Sequence, residues 1–273
     1  VQENNPDTFL ICYFNAGLAQ TSDCDYDSRW NATGVDLLGN PYSPEEPDFA
    51  DERWVNIKNE TARKWMKDRI TLARDLGCDG VDPDNIDGYL NDEDGNNGTG
   101  WNLSQDDYVT FVTELATHAH NLTTLRNYTL LIGQKNAPEL IEPLGGILDF
   151  AVLEDCKTLN DEEDYVFCGD FQPYIAEGKP VFSIEYPSTL NNTADGGCNP
   201  EGASDQQYAD SCNPDERTTG FSPILKLQGG VGELNGCTQY CSDAGPGTGV
   251  VVTPTDPELD GRTCPSEASP PPS

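Results

Sequence analysis

The stretch that decides the fold runs Asn59-Glu-Thr-Ala-Arg-Lys-Trp-Met-Lys-Asp-Arg-Ile-Thr-Leu-Ala-Arg-Asp-Leu-Gly77 and continues Cys78-Asp-Gly-Val-Asp-Pro-Asp-Asn-Ile-Asp-Gly-Tyr89. In its first half Ala62, Trp65, Met66, Ile70, Ala73 and Leu76 recur at helical spacing. Thr61 or Asn59 is placed to cap the start, and Gly77 to end it. The second half is a short buried-strand signal at 80–82, followed at once by acids and an amide. Helix, then strand, then carboxylates is the pattern of a unit in a parallel sheet, where ligands are held outside the carboxyl ends of the strands.

The same order recurs on both sides. Nearly continuous apolar runs stand at 9–14, 129–133, 150–153, 180–184 and 221–225. Such runs, without polar alternation, are what a parallel sheet covered on both faces requires. Polar residues follow each run: Asn15, then Asp82-Pro83-Asp84-Asn85, Lys135-Asn136, Glu154-Asp155, Glu185-Tyr186 and Lys226. A second helix starts at the capping-box-like Ser104-X-X-Asp107 and carries the stripe Tyr108, Phe111, Val112, Leu115, Ala119 and Leu122. The expected fold is therefore α/β with a parallel sheet, either open or closed into a barrel. Six polar strand ends in succession read as one shared site, against the plainer alternative that strands simply end in polar loops.

The chain has 273 residues, with 15 Lys+Arg against 48 Asp+Glu and a formal net charge of −33. Scattered basic residues give no phosphate-binding surface, so nucleic acid is excluded as a partner, and an anionic membrane is disfavoured for the same reason. No apolar run approaches the roughly 18 to 20 residues of a spanning helix. Ten Cys and seven Asn-X-Ser/Thr sequons, at Asn31, Asn59, Asn97, Asn102, Asn121, Asn127 and Asn191, point to an oxidising compartment and a secreted glycoprotein bearing N-glycans. The region from about 191 to 212 is Gly/Asn/Asp-rich, read as a disulfide-stapled surface excursion. From 246 onward the chain turns Pro/Gly-rich, so the expected organisation is a main domain over 1–245 and a tail over 246–273, within which the β-branched run at 250–253 is a candidate edge strand.

The residue types leave few chemistries. His118 and His120 are the only histidines and stand two apart in a helix, where they do not share a face, so neither a zinc pair nor a Ser-His-Asp triad is available. The Cys lack a nucleophile context and read as bridged, with Cys156 and Cys168 closing a local loop and Cys237 and Cys241 each paired to other cysteines. Gly229-Gly230-X-Gly232 lacks the partners of a phosphate loop. The acidic loop from Asp92 resembles the start of a calcium loop, but it has Asn97 at the sixth position and Leu103 at the twelfth. What remains is carboxylate chemistry: glycosidic cleavage needs an acid to protonate the leaving oxygen and a carboxylate to attack or to activate water, and no cofactor or metal. Asp82, Asp84, Asp87, Glu154, Asp155 and Glu185 are the candidates, and spacing alone does not choose among them.

Six ordered blocks make the reading specific: Ile11-Cys-Tyr-Phe-Asn-Ala-Gly17, Gly80-Val-Asp-Pro-Asp-Asn-Ile-Asp-Gly-Tyr89, Gly133-Gln-Lys-Asn136, Phe150-Ala-Val-Leu-Glu-Asp-Cys156, Val181-Phe-Ser-Ile-Glu-Tyr186 and Gly220-Phe-Ser-Pro-Ile-Leu-Lys226. Together they resemble glycoside hydrolase family 114, the endo-α-1,4-polygalactosaminidases. The resemblance implies a (β/α)8 TIM-barrel-like fold that hydrolyses α-1,4-linked galactosamine-containing polysaccharide outside the cell without cofactor. It implies that Asp84 is the nucleophile or charge stabiliser and Glu154 the acid/base. Asp82, Asn85, Asp87, Lys135, Asn136, Glu185 and Tyr186 would line the sugar subsites, and Tyr13 and Tyr89 would offer hydrogen bonds or a stacking face. Members begin with two further strands ahead of the Cys-Tyr-Phe block, so the chain is expected to correspond to strands 3 to 8 of the family barrel, either as an N-terminally incomplete version or with other segments such as 250–253 closing the gap. Two alternatives stay open, a hydrolase of a different glycan and a catalytically inactive carbohydrate-binding surface glycoprotein.

Overall fold

The computed structural model describes residues 7–32, 34–45, 49–95, 97–157, 167–191, 198–227, 237–243, 245 and 247–252. They form two compact units that divide between Asp149 and Phe150. The Gly229-Gly230-X-Gly232 run and most of the Pro/Gly-rich tail lie outside the described residues.

In the first unit the strands are β1 (Ile11–Asn15), β2 (Leu18–Ala19), β3 (Leu38–Pro41), β4 (Arg53–Val55), β5 (Gly80–Asp84) and β6 (Leu131–Lys135), and the helices are α1 (Glu60–Asp75), α2 (Gln105–His120) and α3 (Ile141–Leu144). β1 pairs parallel with β5, with Ile11 opposite Gly80 and Asn15 opposite Asp84, and β5 pairs parallel with β6. Parallel neighbours need long crossovers, and α1 and α2 supply them. The Asn59 side chain caps α1, accepting the Thr61 N–H at 2.8 Å. α2 starts in a complete capping box of Ser104 and Asp107. Ala62, Met66 and Ile70 of α1 and Phe111, Val112 and Leu115 of α2 are buried beside Val81 and Ile132 of the sheet. Leu76, counted in the helical stripe, is instead 60% exposed, because it is the C-cap at which Gly77 (φ 94°) turns the chain away. A smaller antiparallel sheet has the order β2-β4-β3.

Both histidines pack structurally: His118 Nε2 lies 2.8 Å from Thr71 Oγ1, and His120 Nε2 lies 2.9 Å from Asp149 Oδ2. The Asp92 carboxylate of the acidic loop closes that loop on itself, accepting Thr99 N–H at 2.9 Å and Leu103 N–H at 2.6 Å.

The second unit contains β7 (Phe150–Glu154), α4 (Gln172–Ala176), β8 (Val181–Glu185), α5 (Asp205–Cys212), β9 (Ser222–Lys226), β10 (Cys237–Tyr240) and β11 (Val250–Val252). β7, β8 and β9 run parallel, and β10 and β11 continue the pairing antiparallel. The candidate edge strand within 250–253 is therefore a strand over Val250–Val252. β10 had no apolar signature, because its Thr238 and Gln239 are buried by hydrogen bonding: Lys226 Nζ donates to Thr238 Oγ1 at 2.7 Å, and Gln239 Oε1 accepts Ala203 N–H at 2.8 Å.

Among the described residues the disulfides are Cys12–Cys78, Cys156–Cys168, Cys198–Cys237 and Cys212–Cys241. The expected local bridge at 156 and 168 forms, and Cys237 and Cys241 each pair with a cysteine of the 191–212 excursion. All six apolar runs became strands. Their last residues are Asn15, Asp84, Lys135, Glu154, Glu185 and Lys226, so each polar group follows its apolar run as the final residue of the strand itself.

Candidate active site

In the first unit the chain around Asp84 is fixed by its parallel neighbour. Ala16 and Gly17 donate their N–H groups to the Asp84 carbonyl at 3.0 and 3.1 Å, and Leu18 N–H bonds Asn15 Oδ1 at 2.8 Å. Gly17 has to be glycine, since a Cβ there would lie 1.7 Å from the Asn85 carbonyl oxygen. Asn85 Nδ2 reaches the same Asn15 oxygen at 3.1 Å.

With the backbone so held, the Asp84 carboxylate takes three donors. Lys135 Nζ is 3.1 Å from Oδ2, the Tyr13 hydroxyl donates to Oδ2 at 2.9 Å, and the Asn85 N–H donates to Oδ1 at 2.7 Å. Lys135 is 4% exposed, and its ammonium lies 5.5 Å from the Tyr13 ring centre. Burial and then the Asp84 charge hold Tyr13 protonated, although the residue is 48% exposed. Burial, and then Asp84, raise the Asp87 carboxyl to about 6. Asp82 is buried one turn of the pleat earlier on β5.

Tyr89 is 2% exposed and donates to Glu139 Oε2 at 3.2 Å, so it offers a hydroxyl and no open stacking face. Asn136 follows Lys135 with φ 42°, and its carbonyl accepts from Gln134 Nε2 at 3.1 Å. Sequence reasoning missed Glu52, a buried carboxyl on the approach to β4 that accepts from Gln20 Nε2. Burial raises it to about 7, with Asp51 and Asp84 adding to the effect. No pattern marked it, because β4 is three residues long and carries no apolar run.

In the second unit Glu154 ends β7 and accepts the Tyr186 hydroxyl on Oε1. Asp155 follows at φ 50°, its own carboxyl pushed up by burial and by Glu154. Glu185 is wholly buried, so it does not line an open surface. Burial raises it to about 7, followed by the influence of Asp155. Its Oε2 accepts the Lys157 N–H at 3.4 Å, and its Oε1 lies 3.7 Å from the Cys156 sulfur. Cys156, Cys168 and Glu185 cluster closely enough to suggest a metal site, but both sulfurs are committed to the disulfide and neither is a thiolate ligand. Lys157, also unmarked in the sequence, is buried, and its pKa is lowered by that burial.

The two units therefore present two carboxylates with tyrosine hydroxyls on them, of the residue types that glycosidic cleavage requires. Among the described residues no helix is long and apolar enough to cross a membrane.

Comparison with known proteins agrees with this chemistry. The profile of Glycoside-hydrolase family GH114 matches residues 2–245. Among solved structures the chain is similar to Aspergillus fumigatus Ega3 in complex with galactosamine, at 33% identity over 87% of this chain and 80% of that one, with a TM-score of 0.66. It is also similar to the glycoside hydrolase domain of PelA from Pseudomonas aeruginosa, at 13% identity over 82% of this chain and 80% of that one, with a TM-score of 0.50, a likeness of fold alone. No curated protein sequence matches. The chain belongs to glycoside-hydrolase family GH114, and it is a glycoside hydrolase of the TIM-barrel-like α/β class.

Proposed function

We propose that this protein is a secreted, endo-acting hydrolase of α-1,4-linked galactosamine-containing polysaccharide, using Asp84 as nucleophile or charge stabiliser and Glu154 as acid/base. The observation that carries the substrate reading is the 33% identity, over 87% of the chain, to a structure holding galactosamine. Glu154 donates a proton to the leaving glycosidic oxygen, while the Asp84 carboxylate faces the positive charge that grows on the anomeric carbon and attacks it or stabilises it. Lys135 and Tyr13 orient Asp84, and Tyr186 orients Glu154. Unacetylated galactosamine units are cationic near or below neutral pH, and a net charge of −33 draws such a polymer toward the protein.

The secreted reading is supported by the four disulfides among the described residues and by the exposure of all seven sequon asparagines, including Asn59, whose capping oxygen leaves its nitrogen available for a glycan. We take residues 1–245 as the hydrolase domain and 246–273 as its tail.

The test is reducing-end release from partially deacetylated α-1,4-galactosamine polymer by the wild-type chain, D84N and E154Q. Release by wild type alone supports the reading. Release from another glycan and not from this one moves the substrate, and binding without release from any makes the protein a lectin-like relative.

A further inference from the structure

Three consecutive residues at the end of β8 grip the turn that carries Glu154. The Ile184 carbonyl accepts the Asp155 N–H at 2.8 Å, Glu185 accepts the Lys157 N–H at 3.4 Å, and the Tyr186 hydroxyl donates to Glu154. The other side of the turn is anchored as well. Lys157 Nζ donates to the carbonyls of Asp210, Ser211 and Asn213 at 3.0, 2.9 and 3.0 Å, where the last orphan acceptors of α5 await a cation. Cys156 is bridged to Cys168. Between these anchors Asp155 turns the chain at φ 50°, a left-handed conformation that Asp adopts more readily than most non-glycine residues.

Glu185 itself is 0% exposed and touches no open surface. A buried carboxyl costs stability that an apolar side chain of similar size would not, so its presence calls for a role other than packing.

We propose that Glu185 and Lys157 are positioning residues that fix residues 154–157, and through them set the aim of Glu154. Glu185 holds the turn from the β8 side and Lys157 from the α5 side. This rests on the reading of Glu154 as the acid/base. It assigns to Glu185 a function beneath the reacting surface in place of contact with sugar.

The experiment measures kcat and KM on a galactosamine oligosaccharide for E185L, E185Q, K157M, E154Q and the double variant E154Q/E185L. Leucine removes the acceptor and retains the bulk, while glutamine retains an acceptor for the Lys157 N–H. E185L and K157M are expected to lose about 10- to 100-fold in kcat with KM within about twofold, since a misaimed acid affects the transition state and not substrate binding. E185Q is expected to return to within about threefold of wild type, and E154Q/E185L to lie within about twofold of E154Q, because a residue acting through Glu154 has nothing left to position once Glu154 is gone. Should E185L fail to melt cooperatively, K157M and E185Q carry the comparison. A normal kcat in E185L and K157M, a loss confined to KM, or an equal further loss in the E154Q background overturns the proposal. E154Q turning over normally would instead remove the acid reading on which it stands.

Discussion

At the end of β5, Asp84 is followed by the left-handed Asn85 and takes the Tyr13 hydroxyl; at the end of β7, Glu154 is followed by the left-handed Asp155 and takes the Tyr186 hydroxyl. The backbone device is the same in both units. An acid on the last strand residue is aimed by the last ladder contacts, an αL residue turns the chain away, and a phenol from the neighbouring strand or the residue after it bonds the carboxylate. The charged neighbours of the two acids differ. Asp84 has the buried Lys135 ammonium at 3.1 Å and also helps raise the carboxyls of Asp87 and Glu52, whereas Glu154 helps raise that of its neighbour Asp155. The same backbone device thus serves a carboxylate that takes an ammonium and a phenol and another that takes a phenol.

Removing the acids breaks the comparison most severely. D84N and E154Q are each expected to lower kcat by about 10³-fold or more while the thermal transition stays cooperative, because on the proposed reading each deletes a group that reacts in the transition state. Near-normal turnover in either variant would take that residue out of the mechanism.

The next effect sharpens the contrast between the two ends. K135M removes a buried charge partner and is expected to cost about 100-fold in kcat, whereas Y186F removes one neutral donor and should cost about 10-fold. Equal losses would show that the two acids are held in the same way after all.

Stability should follow pH with an unusual sign. Glu52, Asp87 and Glu185 have folded-state values of about 7, 6 and 7, above their ordinary 4.5, 3.8 and 4.5. The folded chain therefore binds these protons more readily than the unfolded one. Their contribution is fully present below about pH 4 and is lost as pH rises through 6 to 7. For the wholly buried Glu185 this amounts to roughly 3 kcal/mol between the two limits. Asp215, lowered to about 2 chiefly by its Arg217 hydrogen bond, works the other way only below pH 4. The melting temperature is expected to be higher at pH 4.5 than at pH 7.5, with E185Q and E52Q each flattening the slope. A melting temperature that rises toward pH 7.5 would contradict the burial of both carboxyls.

The smallest effect probes the shared backbone device. N85G and D155G relieve αL strain at the cost of a more mobile unfolded chain, and stability should move by no more than about 1 kcal/mol in either direction. Activity is expected to fall more in D155G, because its turn carries the Glu154 acid. A larger loss in N85G would place the more demanding aim at β5.

The two helices were legible because amphipathic stripes and caps are local. Asn59 and the Ser104-Asp107 box act within one turn, and the structure repeats them. The parallel strands were legible because strands covered on both faces must be apolar throughout. β10 was not, since Thr238 and Gln239 are satisfied by Lys226 and Ala203, residues 12 and 36 positions away. For the same reason Glu52, Lys157 and the buried state of Glu185 and Tyr89 escaped notice. Burial of a polar side chain depends on which distant groups arrive to bond it, and spacing along the chain carries no record of that.

The sequence by itself determined the α/β class, the order of the strand and helix runs, the local Cys156–Cys168 bridge and the polar residues that close each strand, because these follow from side-chain polarity and short-range spacing. Only the tertiary structure decided that Lys135 and Tyr13 converge on Asp84 from the strands on either side of β5, that Tyr186 takes Glu154, and that Glu185 lies beneath a turn and not on a surface. These pairings are fixed by strand register across separations of 28 to 71 residues, and register is set by the packing of whole elements.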